Sequence, residues 1–506
     1  MADTVKLTID GKEVVAPKGM NLIEAAKLVG TQVPHYCYHP KLAVVGSCRM
    51  CLVDVGMPKL GADKKPEIGA DGKPIILFGP KLVIGCNTPV AEGMVVHTRS
   101  EKVVKAREGV MEFLLINHPL DCPICDQAGE CRLQEFSVDY GKGQSRFVEE
   151  KVHKPKKTVL NAKITLDDER CILCSRCIRF MRDVAGQDCL GFVNRGSYST
   201  LTCYPGQEPK TNYDLNIVDI CPVGALTSND FRFQQRVWFL KETKSICPNC
   251  ATGCNTVLWS REGIVYRQTP RPNEAVNQCW MCDSGRLNYK FINDPRRLTM
   301  TRPWAETLRE VAGKLKRAKG IAVIGSARAT TEELFLLRKL SNAGAMVVPH
   351  NGESDNFFLN ADRTPNMAGA RLVGFSGELG DFTALVVLGE EVPEELLSKA
   401  ELVVAIDILP TKTTAVAQYV LPGVSFAEKR GTLINAKNRI QRLNPAVAPL
   451  AGTKPEYEIL SALLREMGIA NYVTLEDVFA DMARTLPALA DLNLSKIGDQ
   501  GVEVKL

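Results

Sequence analysis

Residues 171–181 read CILCSRCIRFM and residues 221–226 read CPVGAL. Cys171, Cys174 and Cys177 stand at two-residue gaps, and Cys221 follows at a distance, ahead of a proline. In a reducing compartment, thiols spaced this way are metal ligands more often than disulfide partners. We expect such a compartment. No charged-then-apolar leader opens the sequence. The longest apolar runs, FTALVVLG and ELVVAIDIL, are too short to span a bilayer. The composition, 45% hydrophobic and 24% charged over 506 residues, is that of an ordinary globular chain, long enough for about two to four domains. Its formal charge of +5 is modest. The basic stretches PKLGADKKP (58–66) and KVHKPKK (151–157) lack interleaved aromatic residues. We read them as linker, loop or docking surface and expect no nucleic-acid site. None of the 18 cysteines follows Cys282, so a thiol-rich half precedes a thiol-free one.

The stretch resembles a bacterial two-cluster ferredoxin, in which C-x2-C-x2-C-x3-C-P occurs twice and each fourth cysteine serves the other cluster. That register implies one [4Fe-4S] cluster on Cys171, Cys174, Cys177 and Cys221. A twin cluster would need ligands at 181, 211, 214 and 217, where Met181, Thr211, Asp214 and Ile217 stand. The resemblance therefore implies one cluster kept and its twin lost.

Upstream, CPICDQAGEC (122–131) supplies only three thiols, Cys122, Cys125 and Cys131. EKVVKAREGVMEFLLINH before it predicts a helix with Val103, Ala106, Val110 and Phe113/Leu114 on one face. Pro119 discourages helix at His118, which places that imidazole at the helix end, facing the thiol loop. We read His118 as the fourth ligand of a [4Fe-4S] cluster. The alternative is a histidine that serves the terminal carbonyls. Further upstream, VKLTIDGKEVVAPKG predicts a hairpin about Asp10-Gly11, and NLIEAAKLVG a helix capped by Asn21 and ended by Gly30. Cys37, Cys48, Cys51 and Cys86 follow. Hairpin, helix and cysteine loop in this order resemble a β-grasp plant-type ferredoxin, although the gap of ten residues after Cys37 is longer than the usual four. A [2Fe-2S] cluster is expected there, with zinc as the alternative; His35 and His39 are expected to bond or pack locally.

Downstream stand CPNCATGC (247–254) and CWMC (279–282). Cys247, Cys250, Cys279 and Cys282 would make a zinc ribbon. Cys247, Cys250, Cys254 and Cys282 instead resemble the [4Fe-4S] module of molybdopterin oxidoreductases, as does DSGRLNYKFINDPRRLTMTRP after them. We prefer the second reading, which leaves Cys189, Cys203 and Cys279 unassigned. Beyond residue 304, GIAVIGS, ALVVLG and LVVAIDI predict buried strands. TTEELFLLRKLSNAG predicts a helix capped at Thr330 or Thr331 and ended at Gly344, within a mostly parallel α/β domain. No GxGxxG or GxxxxGK[ST] accompanies them. YVLPGVSFAEKRGTLINAKNRIQ (419–441) again resembles the molybdopterin oxidoreductases. Those enzymes usually place a lysine just after the last cluster cysteine, where Asp283-Ser284-Gly285-Arg286 stands here. The sequence also stops at Leu506, without room for their C-terminal pterin domain. We expect no molybdopterin.

The modules in series resemble the large iron–sulfur subunit of respiratory complex I, the G-type subunit of bacterial NADH–quinone oxidoreductases. The resemblance covers residues 1–300 closely and 301–506 loosely. It implies an α+β multidomain chain: a β-grasp plant-type ferredoxin (1–99), a His/Cys cluster module (100–158), a one-cluster bacterial-ferredoxin-like module (159–236), a molybdo-type [4Fe-4S] module (237–303) and a truncated α/β molybdopterin-oxidoreductase-like domain (304–506). It implies one [2Fe-2S] and three [4Fe-4S] clusters, with no molybdopterin, FMN or NAD and no catalytic residue of its own. Electrons would arrive from a flavin- and NADH-binding partner subunit at the Cys37 set. They would pass to the Cys171 set and the His118 set, and leave toward quinone through other peripheral-arm subunits. The Cys247 set would lie off this path. The complex would be peripheral, on the cytoplasmic side of the inner (plasma) membrane, with this chain meeting the membrane only through the assembly. Alternatives are an electron-transfer subunit of an NAD-linked hydrogenase or formate dehydrogenase, a molybdenum enzyme, and a zinc-binding scaffold.

Overall fold

Asp10 and Gly11 take positive φ angles of 46° and 79°, as a two-residue hairpin turn demands. They join the antiparallel strands Thr4–Ile9 and Lys12–Pro17. The computed structural model in which they lie describes residues 3–355 and 357–506. It comprises two units, Met1–Val237 and Trp238–Leu506.

In the first unit the hairpin forms one edge of a mixed sheet, in the order 12–17, 4–9, 95–97, 52–58 and 76–78, with 83–84 also paired to 52–58. The first and last strands of this region, Thr4–Ile9 and Val95–His97, pair in parallel. Helix Leu22–Leu28 begins at Asn21, whose side chain accepts from the Glu24 amide. Its Leu22, Ile23, Ala25 and Ala26 pack with Leu7, Ile9, Val53 and Val96, and Cys51 and Cys86 belong to the same core.

Helix Glu101–Leu115 forms as expected, but a different face packs. Val103, Arg107 and Met111 are buried, and Phe113 is 80% exposed. Arg107 accounts for the rotation. Its guanidinium donates to the carbonyls of Thr98 at 2.8 Å and Leu52 at 3.0 Å, and a buried cation needs such partners. Apolar periodicity does not register a buried arginine. The strands Thr158–Asn161, Ile164–Leu166 and Leu226–Ser228 make a small antiparallel sheet. Helix Arg176–Asp183 and the hairpin of Leu190–Val193 with Thr200–Cys203 complete this part of the unit.

In the second unit, the antiparallel strands Lys241–Ile246, Asn255–Arg261 and Ile264–Pro270 precede a five-stranded parallel sheet. Its order is Ala345–Val347, Ile321–Gly325, Ala384–Leu388, Leu402–Asp407 and Tyr419–Pro422. Helix Thr331–Leu340 opens on a reciprocal cap between Thr330 and Glu333. It ends at Leu340 rather than at Gly344. Ser341 turns extended, and its hydroxyl donates to the carbonyls of Ile321 at 3.0 Å and Gly344 at 2.7 Å. Gly344, with φ 102°, serves the turn into the next strand.

Buried ion pairs hold this unit together. Lys429 lies between Glu333 at 2.9 Å and Glu456 at 3.0 Å, and Arg297 meets Glu428 at 2.7 Å. Lys429→Met leaves two buried carboxylates without their counter-ion, which costs about 3–5 kcal/mol. Lys454→Met, at an exposed pair with Glu458, costs less than about 0.5 kcal/mol. Urea unfolding of the second unit should show a large midpoint drop for the first variant only; equal midpoints would contradict this account.

Candidate metal centres

Cys37, Cys48, Cys51 and Cys86 meet at the edge of the first sheet. Cys37 and Cys48 share a hydrogen bond, as do Cys51 and Cys86. The bond from Cys48 holds the Cys37 thiol down at about 5 and drives Cys48 upward. Cys51 and Cys86 divide in the same way, Cys51 down and Cys86 up. His35 and His39 are engaged locally: His35 Nδ1 is 2.8 Å from the Val33 carbonyl, and His39 Nδ1 accepts from the Lys41 amide at 3.3 Å.

His118 and the thiols of Cys122, Cys125 and Cys131 line one cavity of about 80 Å³. His118 lies just past the helix end, its amide bonded to the Leu115 carbonyl at 3.1 Å. Its ring has no hydrogen-bond partner among the described residues. The terminal carbonyls that were its alternative role go to Lys151, whose Nζ donates to Leu115 and Ile116, each at 2.9 Å. Burial pushes the imidazole down to about 4, and the neutral form is the one that ligates a metal. Lys156 of the same basic stretch pairs with Asp121 at 2.7 Å and Glu169 at 2.8 Å.

Cys171, Cys174, Cys177 and Cys221 line a second cavity, of about 20 Å³. Leu173 and Ser175 take positive φ angles of 56° and 58°, which wraps the loop so that the Leu173 amide reaches Cys171 Sγ at 3.4 Å. Burial raises all four thiols, and for Cys221 the amides of Val223, Leu226 and Ala225 oppose that rise. Where a twin cluster would need ligands, Met181 and Ile217 are fully buried packing residues. The Asp214 carboxylate accepts from the Thr211 amide at 3.0 Å, its hydroxyl at 2.6 Å, Asn161 Nδ2 at 2.9 Å and Lys163 Nζ at 3.2 Å. Cys189 and Cys203 belong to the neighbouring hairpin.

In the second unit Cys247, Cys250, Cys254 and Cys282 are buried together, with Cys247 N donating to the Cys254 carbonyl at 2.9 Å. Cys279, the ribbon alternative, is only half-buried. Cys282 Sγ accepts from the Gly285 amide at 3.4 Å and the Ser284 hydroxyl at 3.5 Å.

Two glycines carry a role that spacing alone does not assign them. A Cβ on Gly224 would lie 2.2 Å from Cys125 Sγ, and one on Gly285 would lie 3.0 Å from Cys247 Sγ and 3.1 Å from Cys282 Sγ. Each stands three residues after a candidate ligand, in CPVG and CDSG, and that repeat was the available signal. Among the described residues no group of three or more His, Cys, Asp or Glu is drawn tightly enough to hold one metal ion. Ligands of a cluster stand around a larger core. All-thiolate and thiolate–imidazole donor sets, amides turned toward sulfur and glycine-thin walls beside it fit iron–sulfur clusters.

Comparison with known proteins gives five family matches in series. They are a 2Fe-2S iron-sulfur cluster binding domain over 2–101, an NADH-ubiquinone oxidoreductase-G iron-sulfur binding region over 107–146 and an NADH-quinone oxidoreductase subunit 3 ferredoxin-like domain over 161–227. A molybdopterin oxidoreductase Fe4S4 domain follows over 240–294 and molybdopterin oxidoreductase over 378–466. The G-type subunits of NADH-quinone oxidoreductase from Rickettsia conorii and Rickettsia typhi are 40% and 41% identical over 350 and 348 residues, 66% of this chain and 48% of theirs. The chain spans about half the length of these relatives. A solved chain of an NAD+-reducing [NiFe]-hydrogenase matches at 26% identity over 46% of this chain and 91% of that one, with a TM-score of 0.38. The chain is thus a multidomain α+β protein with 2Fe-2S, 4Fe-4S and molybdopterin-oxidoreductase-like regions.

Gly224→Ala should disturb the His118 set from outside it, because the new methyl meets Cys125 Sγ. In metal-loaded protein any electron paramagnetic resonance signal from the His118, Cys122, Cys125 and Cys131 set should shift or vanish, with any signals from the Cys37 and Cys247 sets kept. An unchanged spectrum at the His118 set would contradict the close approach.

Proposed function

We propose, from the kinship of this chain with the G-type subunits of NADH-quinone oxidoreductase, that it relays electrons within an NADH–quinone oxidoreductase. In this reading Cys37, Cys48, Cys51 and Cys86 hold a [2Fe-2S] cluster. His118 with Cys122, Cys125 and Cys131, then Cys171, Cys174, Cys177 and Cys221, and then Cys247, Cys250, Cys254 and Cys282 hold [4Fe-4S] clusters. A bound iron–sulfur cluster takes up and releases single electrons at a potential set by its ligands and surroundings. The chain's own residues hold the sulfurs, exclude water and turn amides toward them.

The observation that carries this reading is the adjacency of the ligand loops. Arg179 donates to the carbonyls of both Cys37 and Cys174. Gly224, three residues past Cys221, abuts Cys125, and Cys131 Sγ reaches the Pro222 carbonyl at 4.0 Å. First, third and second sets are thereby neighbours in that order, which supports a route from the Cys37 set through the Cys171 set to the His118 set. The parallel closure of the first sheet supports a β-grasp ferredoxin over 1–99. The modules at 100–158, 159–236, 237–303 and 304–506 follow on the same reading.

The last domain is assigned no molybdopterin. In doubly wound folds the helix N-terminus after a strand is where phosphates bind. Here that turn carries Glu332, bonded to the Thr432 amide at 2.8 Å, and Glu333, bonded to the Thr330 amide at 2.8 Å. A phosphate would face two carboxylates. Partners on this reading are a flavin- and NADH-binding subunit and other peripheral-arm subunits. No helix among the described residues is long and apolar enough to cross a membrane; we propose attachment to the cytoplasmic face through the complex.

Cys221→Ser should stop NADH-driven quinone reduction in the assembled complex while reduction of an artificial acceptor at the flavin survives. Cys254→Ser, off the route, should leave turnover largely intact. Equal loss in well-assembled complexes of both variants would refute the assignment of route and branch.

His118 gives a second test. Neutral imidazole in place of a thiolate leaves its cluster with one negative charge fewer. His118→Cys should therefore lower that cluster's midpoint potential, and His118→Ala should make it labile. Unchanged spectra and midpoints in both variants would remove His118 from the ligand set.

A further inference from the structure

Arg176 and Arg179 stand one turn apart on helix Arg176–Asp183. Arg179 Nη2 donates to the carbonyl of Cys37 at 2.6 Å and to that of Cys174 at 3.2 Å. One nitrogen atom thus joins a candidate ligand of the first set to a candidate ligand of the third. Arg179 Nη1 donates to the Ala43 carbonyl at 2.5 Å and Nε to the Ser175 carbonyl at 3.2 Å. Arg176 repeats the pattern one residue away from the ligands. Its Nη1 donates to the Ile220 carbonyl, beside Cys221, at 3.0 Å, and its Nη2 donates to the Tyr38 carbonyl, beside Cys37.

Among the described residues neither guanidinium bonds a carboxylate. The hydrogen bonds of both guanidiniums among the described residues go to backbone carbonyls and the Ser175 hydroxyl. Arg179 is only 5% exposed. A buried guanidinium without an anion costs several kcal/mol. The Asp183 carboxylate, which pairs with Arg182, also acts on Arg179; on the ligand reading above, the sulfurs of Cys37, Cys174 and Cys221 add negative charge beside Arg176.

We propose that Arg179, supported by Arg176, is a positioning residue for electron transfer between the Cys37 and Cys174 centres, and that its charge raises the potential of both. The proposal rests on the ligand reading above. The planar fork of arginine offers several donors at fixed angles, so Arg179 holds the 37–43 and 174–175 segments at once; a lysine ammonium cannot span them in the same geometry. A cation between two anionic centres stabilises the reduced form of each. The run from the Cys37 carbonyl through Nη2 to the Cys174 carbonyl is a path made of two hydrogen bonds. In the transfer one electron leaves one centre and enters the other; no bond forms or breaks and no proton moves.

The test uses the whole chain, purified anaerobically with its metal, and redox titration followed by electron paramagnetic resonance. Arg179→Gln removes the charge. Both midpoints should fall by at least 59 mV, the equivalent of tenfold in a one-electron equilibrium, while those of the His118 and Cys247 sets stay in place. Arg179→Lys keeps the charge and breaks the bridge. Its midpoints should stay near wild type while rapid-freeze reduction shows transfer between the two centres slowed at least tenfold. A lost tether alone would not lower two potentials together. If Arg179→Gln loses metal, Arg176→Gln makes the same charge change without touching a ligand carbonyl, and both midpoints should again fall. Unmoved midpoints in a metal-replete neutral variant would overturn the proposal alone. A wild-type chain without clusters on these cysteines would overturn the ligand reading and the proposal with it.

Discussion

Thiolates gathered inside a protein lose their water and repel one another, and both effects favour the protonated form. Cys174 is pushed up to about 11, and Cys171 and Cys177 rise as well, mainly by burial. Such a site needs positive charge and hydrogen-bond donors near sulfur before it can hold a metal core. Much of the first unit answers that need. Amides of the 223–226 turn face Cys221, and the positive φ at Leu173 brings an amide onto Cys171. Arg170 lies in the wall of the His118 cavity. Arg176 and Arg179 supply cations whose hydrogen bonds among the described residues go to backbone carbonyls and a hydroxyl. In the second unit the Gly285 amide and Ser284 hydroxyl do the same for Cys282.

Short-range features were legible in the sequence. The Asp10-Gly11 turn, the Asn21 cap and the Thr330 cap are each set by residues within a few positions of one another. The candidate thiols were legible by spacing, because the C-x2-C gap is itself a local geometric requirement. Contacts between distant segments were not. Arg179 reaches a carbonyl 142 positions away, and nothing in CSRCIRF marks the distant carbonyls that its two arginines meet. The buried face of the 101–115 helix was misread for the same reason, since the Arg107 partners lie on another strand and at the helix start. The early end at Leu340 depends on Ser341 finding the Ile321 carbonyl across the sheet, which no helix-end signal encodes.

Two places carry buried carboxylates that are met by donors. Asp214 is fully buried and accepts hydrogen bonds from Thr211, Asn161 and Lys163. In the last domain Glu332, Glu333 and Glu456 are gathered with Lys429 and Thr432. In both places the buried carboxylates are met by donors, which is what keeps a buried charge tolerable.

On the proposed reading the four donor sets hold iron–sulfur centres, three along the route and one off it. Anaerobic metal analysis of the purified chain tests it most directly. One [2Fe-2S] and three [4Fe-4S] clusters correspond to about 14 irons per chain, with no stoichiometric zinc or molybdenum. One zinc with about four fewer irons would make the Cys247 site a zinc site, and stoichiometric molybdenum would contradict the cofactor-free last domain. A chain that binds zinc alone would contradict the electron-relay account altogether.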